Sequence, residues 1–167
     1  MTESSIDYVL IGGLAATIFG RPRTTMDIDV IIENNEESIK KLQITLRKDG
    51  FDFNEDEILI AINEKSHCSI FHNNFPFRID LQGIYSPLDE RSFQHRIEMS
   101  ILDLETFIEK PEDLIVAKLV YGSQRDLEDA KGIFLRQGDK LDLEYIRIFA
   151  AKEGVNNKLD QILEEIS

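Results

Sequence analysis

The chain has 167 residues, 42% hydrophobic and 31% charged, which suits one globular domain with one core. No stretch approaches the roughly 20 apolar residues of a membrane span, and a net charge of -13 argues against general DNA binding because it repels nucleic-acid backbones. Cys68 is the single cysteine, so no internal disulfide forms. With no basic region and apolar run in Met1–Ser5, the expected compartment is a reducing cytoplasm.

Tyr8-Val9-Leu10-Ile11 reads as a strand closing on Gly12-Gly13, and Leu14–Gly20 as a short helix. Glycine permits a sharp turn and lets an anion approach the main chain, and the free N–H groups of a helix start bind phosphate. Asp27-Ile28-Asp29-Val30-Ile31-Ile32 reads as a second strand. Alternation points Asp27 and Asp29 the same way and sends Ile28 to the core. Two adjacent like charges repel unless a cation stands between them, so the pair is a candidate magnesium site facing a phosphate-binding turn. Gly-Gly after a strand is not specific, and neither is Asp-x-Asp. Together, with thirteen residues between Gly13 and Asp27, they carry more weight.

Glu36–Arg47 reads as a helix, with Ile39, Leu42 and Leu46 at helical spacing and Asp49-Gly50 as its stop. Phe51–Tyr85 reads as three strands, over Glu57–Ile62, Ser66–Phe71 and Phe75–Ile84. In the last of these, Phe77, Ile79 and Leu81 share one face and Arg78, Asp80 and Gln82 the other. Asp80 is then a third candidate carboxylate, or a solvated aspartate paired with Arg78. Arg78 either keeps Asp80 ionised or reaches a phosphate. His67, Cys68 and His72 are too few and too badly spaced for zinc. Pro87–Ile101 is polar and reads as a wrap around the edge of the core, and Leu102–Ile108 as including a short helical turn.

Pro111 fits a first helical position, and Leu114–Tyr121 continues that helix to Gly122. Ser123 with Asp126 three residues on begins another, which Gly138 ends. Leu143–Lys152 and Asn157–Ile166 complete a bundle of about four helices. Lys118 sits on a largely apolar helix stretch and is the tail's most informative charge.

The stretch from Tyr8 to Ile32 resembles the nucleotidyltransferase superfamily that includes DNA polymerase beta, aminoglycoside nucleotidyltransferases and abortive-infection toxins. Its signature is an apolar strand, Gly-Gly or Gly-Ser, a short gap, Asp-x-Asp, and a third carboxylate on a later strand. Arg23-Thr24-Thr25-Met26-Asp27-Ile28-Asp29 is most similar to the small bacterial branch near the abortive-infection toxins. Lys118, Arg125-Asp126 and Asp129 are similar to that branch's helical motif. Where many members carry serine after the first glycine, this chain has Gly13, leaving only backbone donors.

The resemblance implies an α+β fold, with a mixed or antiparallel nucleotidyltransferase core sheet, flanking helices and a C-terminal helical bundle. The core spans residues 1–105 and a helical region, 106–167, packs on it as one compact unit. It implies a nucleoside triphosphate as substrate and a pair of magnesium ions as cofactor. Asp27, Asp29 and Asp80 are its catalytic and metal-binding residues, and Asp80 either shares the second metal or accepts the hydroxyl proton. Gly12, Gly13, Arg23, Lys118 and Asp126 are its nucleotide-binding residues, with Lys118 on the phosphates and Asp126 positioning Lys118 or the base. The acceptor is a tRNA end, a protein or a small hydroxylated molecule such as an antibiotic. An antitoxin is an expected partner; a membrane is not. The alternative is a non-catalytic nucleotide- or metal-binding module on the same fold that docks a protein partner.

Overall fold

The computed structural model describes residues 6–166, with Glu55 described by its backbone alone. The chain divides into two units. The first takes residues up to Leu14 together with Thr25–Glu109; the second takes Ala15–Thr24 and everything from Lys110 onward.

The first unit is built on seven strands: β1 (Tyr8–Ile11), β2 (Asp27–Ile32), β3 (Phe51–Asp52), β4 (Cys68–His72), β5 (Arg78–Gln82), β6 (Ile97–Ile101) and β7 (Leu104–Ile108). Their spatial order is β3-β4-β5-β2-β1-β7-β6. The sheet is mixed: β1 runs parallel to β7 and β2 parallel to β5, and the other neighbours are antiparallel. Helix α1 (Gly12–Phe19) starts in this unit directly after β1. Helices α2 (Glu36–Lys48), α3 (Glu55–Asn63) and α4 (Pro87–Gln94) lie between the later strands.

Alternation on the central strands builds the core. Val30, Ile32, Ile79 and Leu81 are buried with Ile39 and Leu42 of α2 and Ile58 of α3 in one cluster. Each such side chain, fully buried, contributes about 1.5–3 kcal/mol relative to exposure. The helices start where side chains catch orphan amides. Asn35 accepts from Ser38 N–H at 2.7 Å to begin α2, and Ser86 and Asp89 form a reciprocal capping box on α4.

Three segments differ from the sequence reading. Glu57–Ile62 lies inside α3 rather than in a strand. Asn54 caps it, Ile58 and Ala61 are buried, and Ile60 is exposed, which is a helical spacing. Residues 87–101 hold α4 and β6. Leu102–Ile108 is a strand after a two-residue turn, in which Leu102 and Asp103 both take positive φ (51° and 64°). That is the backbone a tight hairpin between β6 and β7 requires.

The second unit holds the rest of α1 with α5 (Pro111–Tyr121), α6 (Gln124–Gln137), α7 (Leu143–Lys152) and α8 (Asn156–Ile166). Ile115, Leu119, Ile133, Ile146 and Leu159 are fully buried in it. The loop after α1 runs backbone against backbone with α6. A Cβ on Gly20 would stand 2.9 Å from the Ile133 nitrogen. Arg136 and Gln137 donate to the Gly20 and Phe19 carbonyls at 2.9 and 2.7 Å, closing the C-terminus of α1.

Candidate active site

The turn from β1 into α1 is set by Gly12, whose φ of +66° is open to glycine and strained for other residues. A Cβ there would also meet the Asp29 carboxylate, its Cγ only 2.8 Å away. Gly13 N–H donates to Asp29 Oδ2 at 3.2 Å, which ties the helix start to the acidic strand.

Strand register brings the carboxylates together. Asp29 pairs with Ile11 on β1 and with Asp80 on β5, and Asp80 pairs with Ser69 on β4. In the next row Asp27 pairs with Arg78, and Arg78 with Phe71. Paired residues on neighbouring strands share a face, so Asp27, Asp29 and Asp80 line one side of β2 and β5. Arg78 bridges two of them. Its Nε donates to Asp80 Oδ1 and Oδ2 at 3.1 and 3.0 Å, and its Nη2 to Asp27 Oδ2 at 3.1 Å. Hydrogen bonding to Asp80 is the main cause that raises the Arg78 pKa above its ordinary value. Ser69 Oγ–H donates to Asp80 Oδ1 at 2.5 Å, and Thr25 Oγ1–H and Met26 N–H donate to Asp27 Oδ1. A shallow cleft of about 190 Å³ opens beside this group, lined by Ile11, Asp29, His67, Asp80 and Gln82.

Among the described residues no three histidine, cysteine, aspartate or glutamate side chains gather as a ready-made metal cluster. The donor set still suits a hard cation. It offers three carboxylates on one face, and the positive group already among them is a side chain with 41% of its surface exposed.

In the second unit, Lys118 is buried at 7% exposure on α5, a helix buried on nearly every side. Its Nζ donates to Asp126 Oδ1 at 2.8 Å and stands 3.1 Å from Asp129 Oδ2. Arg23 forks onto Asp129 with two bonds of 3.0 Å. Burial opposes charge on Asp126, but the hydrogen bonds from Lys118 and Ser123 outweigh it and hold the carboxyl below its ordinary value. Arg23 and Lys118 are therefore joined through Asp129, and Asp126 joins the network through Lys118; Asp129 did not stand among the candidate nucleotide-binding residues. Its signal in the sequence is the i, i+3 spacing from Asp126 on one helix face. Ser69 also escaped selection, because the pairing of β4 with β5 that seats it opposite Asp80 is not written in either strand alone, and His67 was weighed only for zinc.

A seven-stranded mixed sheet with an acidic face at β2 and β5, next to a glycine turn into a helix, defines a nucleotidyltransferase fold. A family model described as "Nucleotidyltransferase of unknown function (DUF6036)" matches residues 1–163, and the chain belongs to that family. It is a nucleotidyltransferase. Solved structures share its fold. The solution structure of the antibiotic-resistance factor ANT(2'')-Ia is similar with a TM-score of 0.59 at 11% identity, over 99% of this chain and 91% of that one. The lincosamide antibiotic adenylyltransferase LnuA, lincomycin-bound, gives 0.52 at 14%, over 79% and 90%. An antigenic nucleotidyltransferase-like protein from Paracoccidioides brasiliensis gives 0.54 at 15%, over 98% and 86%. No curated protein matches by sequence. No helix among the described residues is long and apolar enough to cross a membrane.

Proposed function

We propose that the enzyme moves a nucleoside monophosphate from a nucleoside triphosphate to a hydroxyl of an acceptor, with magnesium at Asp27, Asp29 and Asp80. The observation that carries this reading is the register that sets Asp80 beside Asp29, with Gly13 N–H bonded to Asp29. Three carboxylates against the one Arg78 guanidinium leave two negative charges, which a divalent cation would balance. When bound, that ion neutralises phosphate charge and polarises the phosphorus under attack.

The acceptor oxygen forms a bond to the α-phosphorus while the α–β phosphoanhydride bond breaks. Pyrophosphate departs with the electron pair. Asp80 takes the hydroxyl proton or helps hold the cation. The backbone N–H groups at the start of α1 receive phosphate oxygens. Within the second unit, Asp126 orients Lys118, and Arg23 and Lys118 are the candidate cations for the nucleotide.

The acceptor is a small hydroxylated molecule, a tRNA end or a protein. ANT(2'')-Ia has been solved in complex with adenylyl-2"-tobramycin and LnuA with lincomycin, which supports the first. The strongly acidic surface also favours an acceptor without phosphates. The resemblance to abortive-infection toxins adds a toxin role with an antitoxin partner, acting in the cytoplasm. A second reading, nucleotide binding without turnover, draws on Gly13, which offers no hydroxyl and gives its amide to Asp29.

Labelled ATP, GTP, CTP and UTP with magnesium, RNA, protein and antibiotics separate the two. Pyrophosphate release that is lost in Asp29→Asn, with the fold intact, supports transfer. Retained turnover in Asp29→Asn refutes the assignment, and nucleotide-dependent thermal stabilisation without any release favours the binding module.

A further inference from the structure

Two carboxylates on the acidic face each have one oxygen held by neutral donors of the chain. Asp27 Oδ1 accepts from Thr25 Oγ1–H at 3.2 Å and from Met26 N–H at 3.1 Å. Asp80 Oδ1 accepts from Ser69 Oγ–H at 2.5 Å, and also from Arg78 Nε–H at 3.1 Å. The other oxygens differ. Among the described residues, Oδ2 of Asp27 and Oδ2 of Asp80 receive hydrogen bonds only from Arg78, at 3.1 and 3.0 Å. Where a cation takes the place of the guanidinium, both Oδ2 atoms are given up to it and the neutral donors stay.

These donors arise differently. Thr25 and Met26 lie within two residues of Asp27, at the start of its own strand. Ser69 comes from another strand. Cys68 and Ile70 are buried on β4, so alternation turns Ser69 to the opposite side, and register sets it across from Asp80. Directly paired residues have Cβ atoms about 4.5–5.5 Å apart, close enough for a serine hydroxyl to reach a carboxylate. An ionised carboxylate has about four lone-pair directions, two on each oxygen. Ser69 and Arg78 fill those of Asp80 Oδ1, whereas Oδ2 meets Arg78 alone.

We propose that Ser69 is a positioning residue of the cation site: by holding Asp80 Oδ1, it presents Oδ2 alone to the ion. This role rests on the proposed cation at Asp27, Asp29 and Asp80, and it gives Asp80 the part of a ligand rather than of a proton acceptor. One-oxygen ligation suits magnesium and manganese, which take octahedral oxygen sites. Calcium is larger and also accepts both oxygens of one carboxylate. Ser69 therefore favours the smaller ions, and it does so through Asp80 without touching substrate.

The test is a titration of the full chain with manganese alone, read by electron paramagnetic resonance and by broadening of the amides of 27–29 and 78–80. Calcium is read by its competition against manganese. The expected result is that Ser69→Ala weakens manganese binding about tenfold, in the range for loss of a group that orients a metal ligand. Calcium binding weakens less, and Ser69→Thr, which keeps the hydroxyl, restores the wild-type preference. Ser69 is exposed, and the amide spectrum checks that the fold is kept. Ser69→Val against Ser69→Thr repeats the comparison with side chains of one shape. Unchanged manganese affinity in Ser69→Ala, equal losses for manganese and calcium, or no restoration by Ser69→Thr each overturn the role of Ser69. If Asp29→Asn still abolishes manganese binding in those cases, the cation stands and only the role of Ser69 falls. If manganese broadens none of these amides in the wild-type chain, the cation falls, and the role of Ser69 with it.

Discussion

Gly12→Ala tests how the turn is joined to the acidic strand. Two costs add. Alanine at φ +66° pays the left-handed backbone cost of about 1–2 kcal/mol. Its Cβ would also stand 2.8 Å from Asp29 Cγ, so the carboxylate must rotate and give up the Gly13 N–H bond of 3.2 Å. A hydrogen bond to a charged acceptor contributes about 1.5–3 kcal/mol, nearer the lower end at this part-buried position. The sum is about 2.5–4 kcal/mol, or roughly 5–16 °C in Tm for a chain of this size. Gly154→Ala is the control, because Gly154 has φ +72° with nothing within 4 Å of a built Cβ. It should lose only the backbone part, about 1–2 kcal/mol. Denaturant unfolding of both variants measures the difference, and pyrophosphate release measures whether Asp29 has moved. Equal stability losses in the two variants, or wild-type turnover in Gly12→Ala, would refute the coupling of the turn to Asp29.

Asp129→Asn leaves Arg23 and Lys118 facing a neutral amide at a site only 8% exposed; breaking such a pair costs about 3–5 kcal/mol, read by denaturant unfolding. A loss under about 1 kcal/mol would mean the network is loosely held. Asp126 has a lowered folded pKa, so its contribution to stability is complete above the ordinary aspartate value and disappears as pH falls through the folded one. Asp126→Asn should therefore flatten the acid limb of the Tm-against-pH curve below about pH 4, and an unchanged limb would exclude Asp126 as its source. Arg78→Ala removes the cation that bonds Asp27 and Asp80, so manganese, used as a paramagnetic stand-in for magnesium, should bind more tightly while the ligand-free protein becomes less stable. Weaker manganese binding would show that Arg78 assists the ion instead of competing with it.

Local chemistry was legible in the residues themselves, and long-range pairing only where the resemblance supplied it, as for Asp80 with Asp27 and Asp29. Gly12-Gly13, the alternation around Asp27 and Asp29, and the Ser123–Asp126 box each lie within a few residues, and the structure has the corresponding turn, strand and cap. The run Ile58-Leu59-Ile60-Ala61-Ile62 is apolar throughout, so it carries no period to separate strand from helix, and the Asn54 cap decides it. The hairpin at Leu102-Asp103 lacks the glycine that usually marks such a turn. Arg23 and Asp129 meet across 106 positions, and no spacing rule reaches that far.

The acidic face and the core are two readings of one alternation. On β2 and β5, Val30, Ile79 and Leu81 are buried on one side, and Asp27, Asp29 and Asp80 take the other. A one-residue slip of β5 against β2 would carry Ile79 and Leu81 to the carboxylate side and send Asp80 into the core. The first change gives up burial of two large side chains, and the second sends Asp80 and Arg78 together into the core, the aspartate away from Ser69. Hydrophobic burial therefore enforces the parity that keeps the three carboxylates together, although they repel one another. Arg78 shares their parity, being two residues from Asp80, so the strand that delivers the third negative charge also delivers a positive one. The fold can thus form before any ligand arrives, and the charge it leaves unbalanced stays on the side where the glycine turn opens.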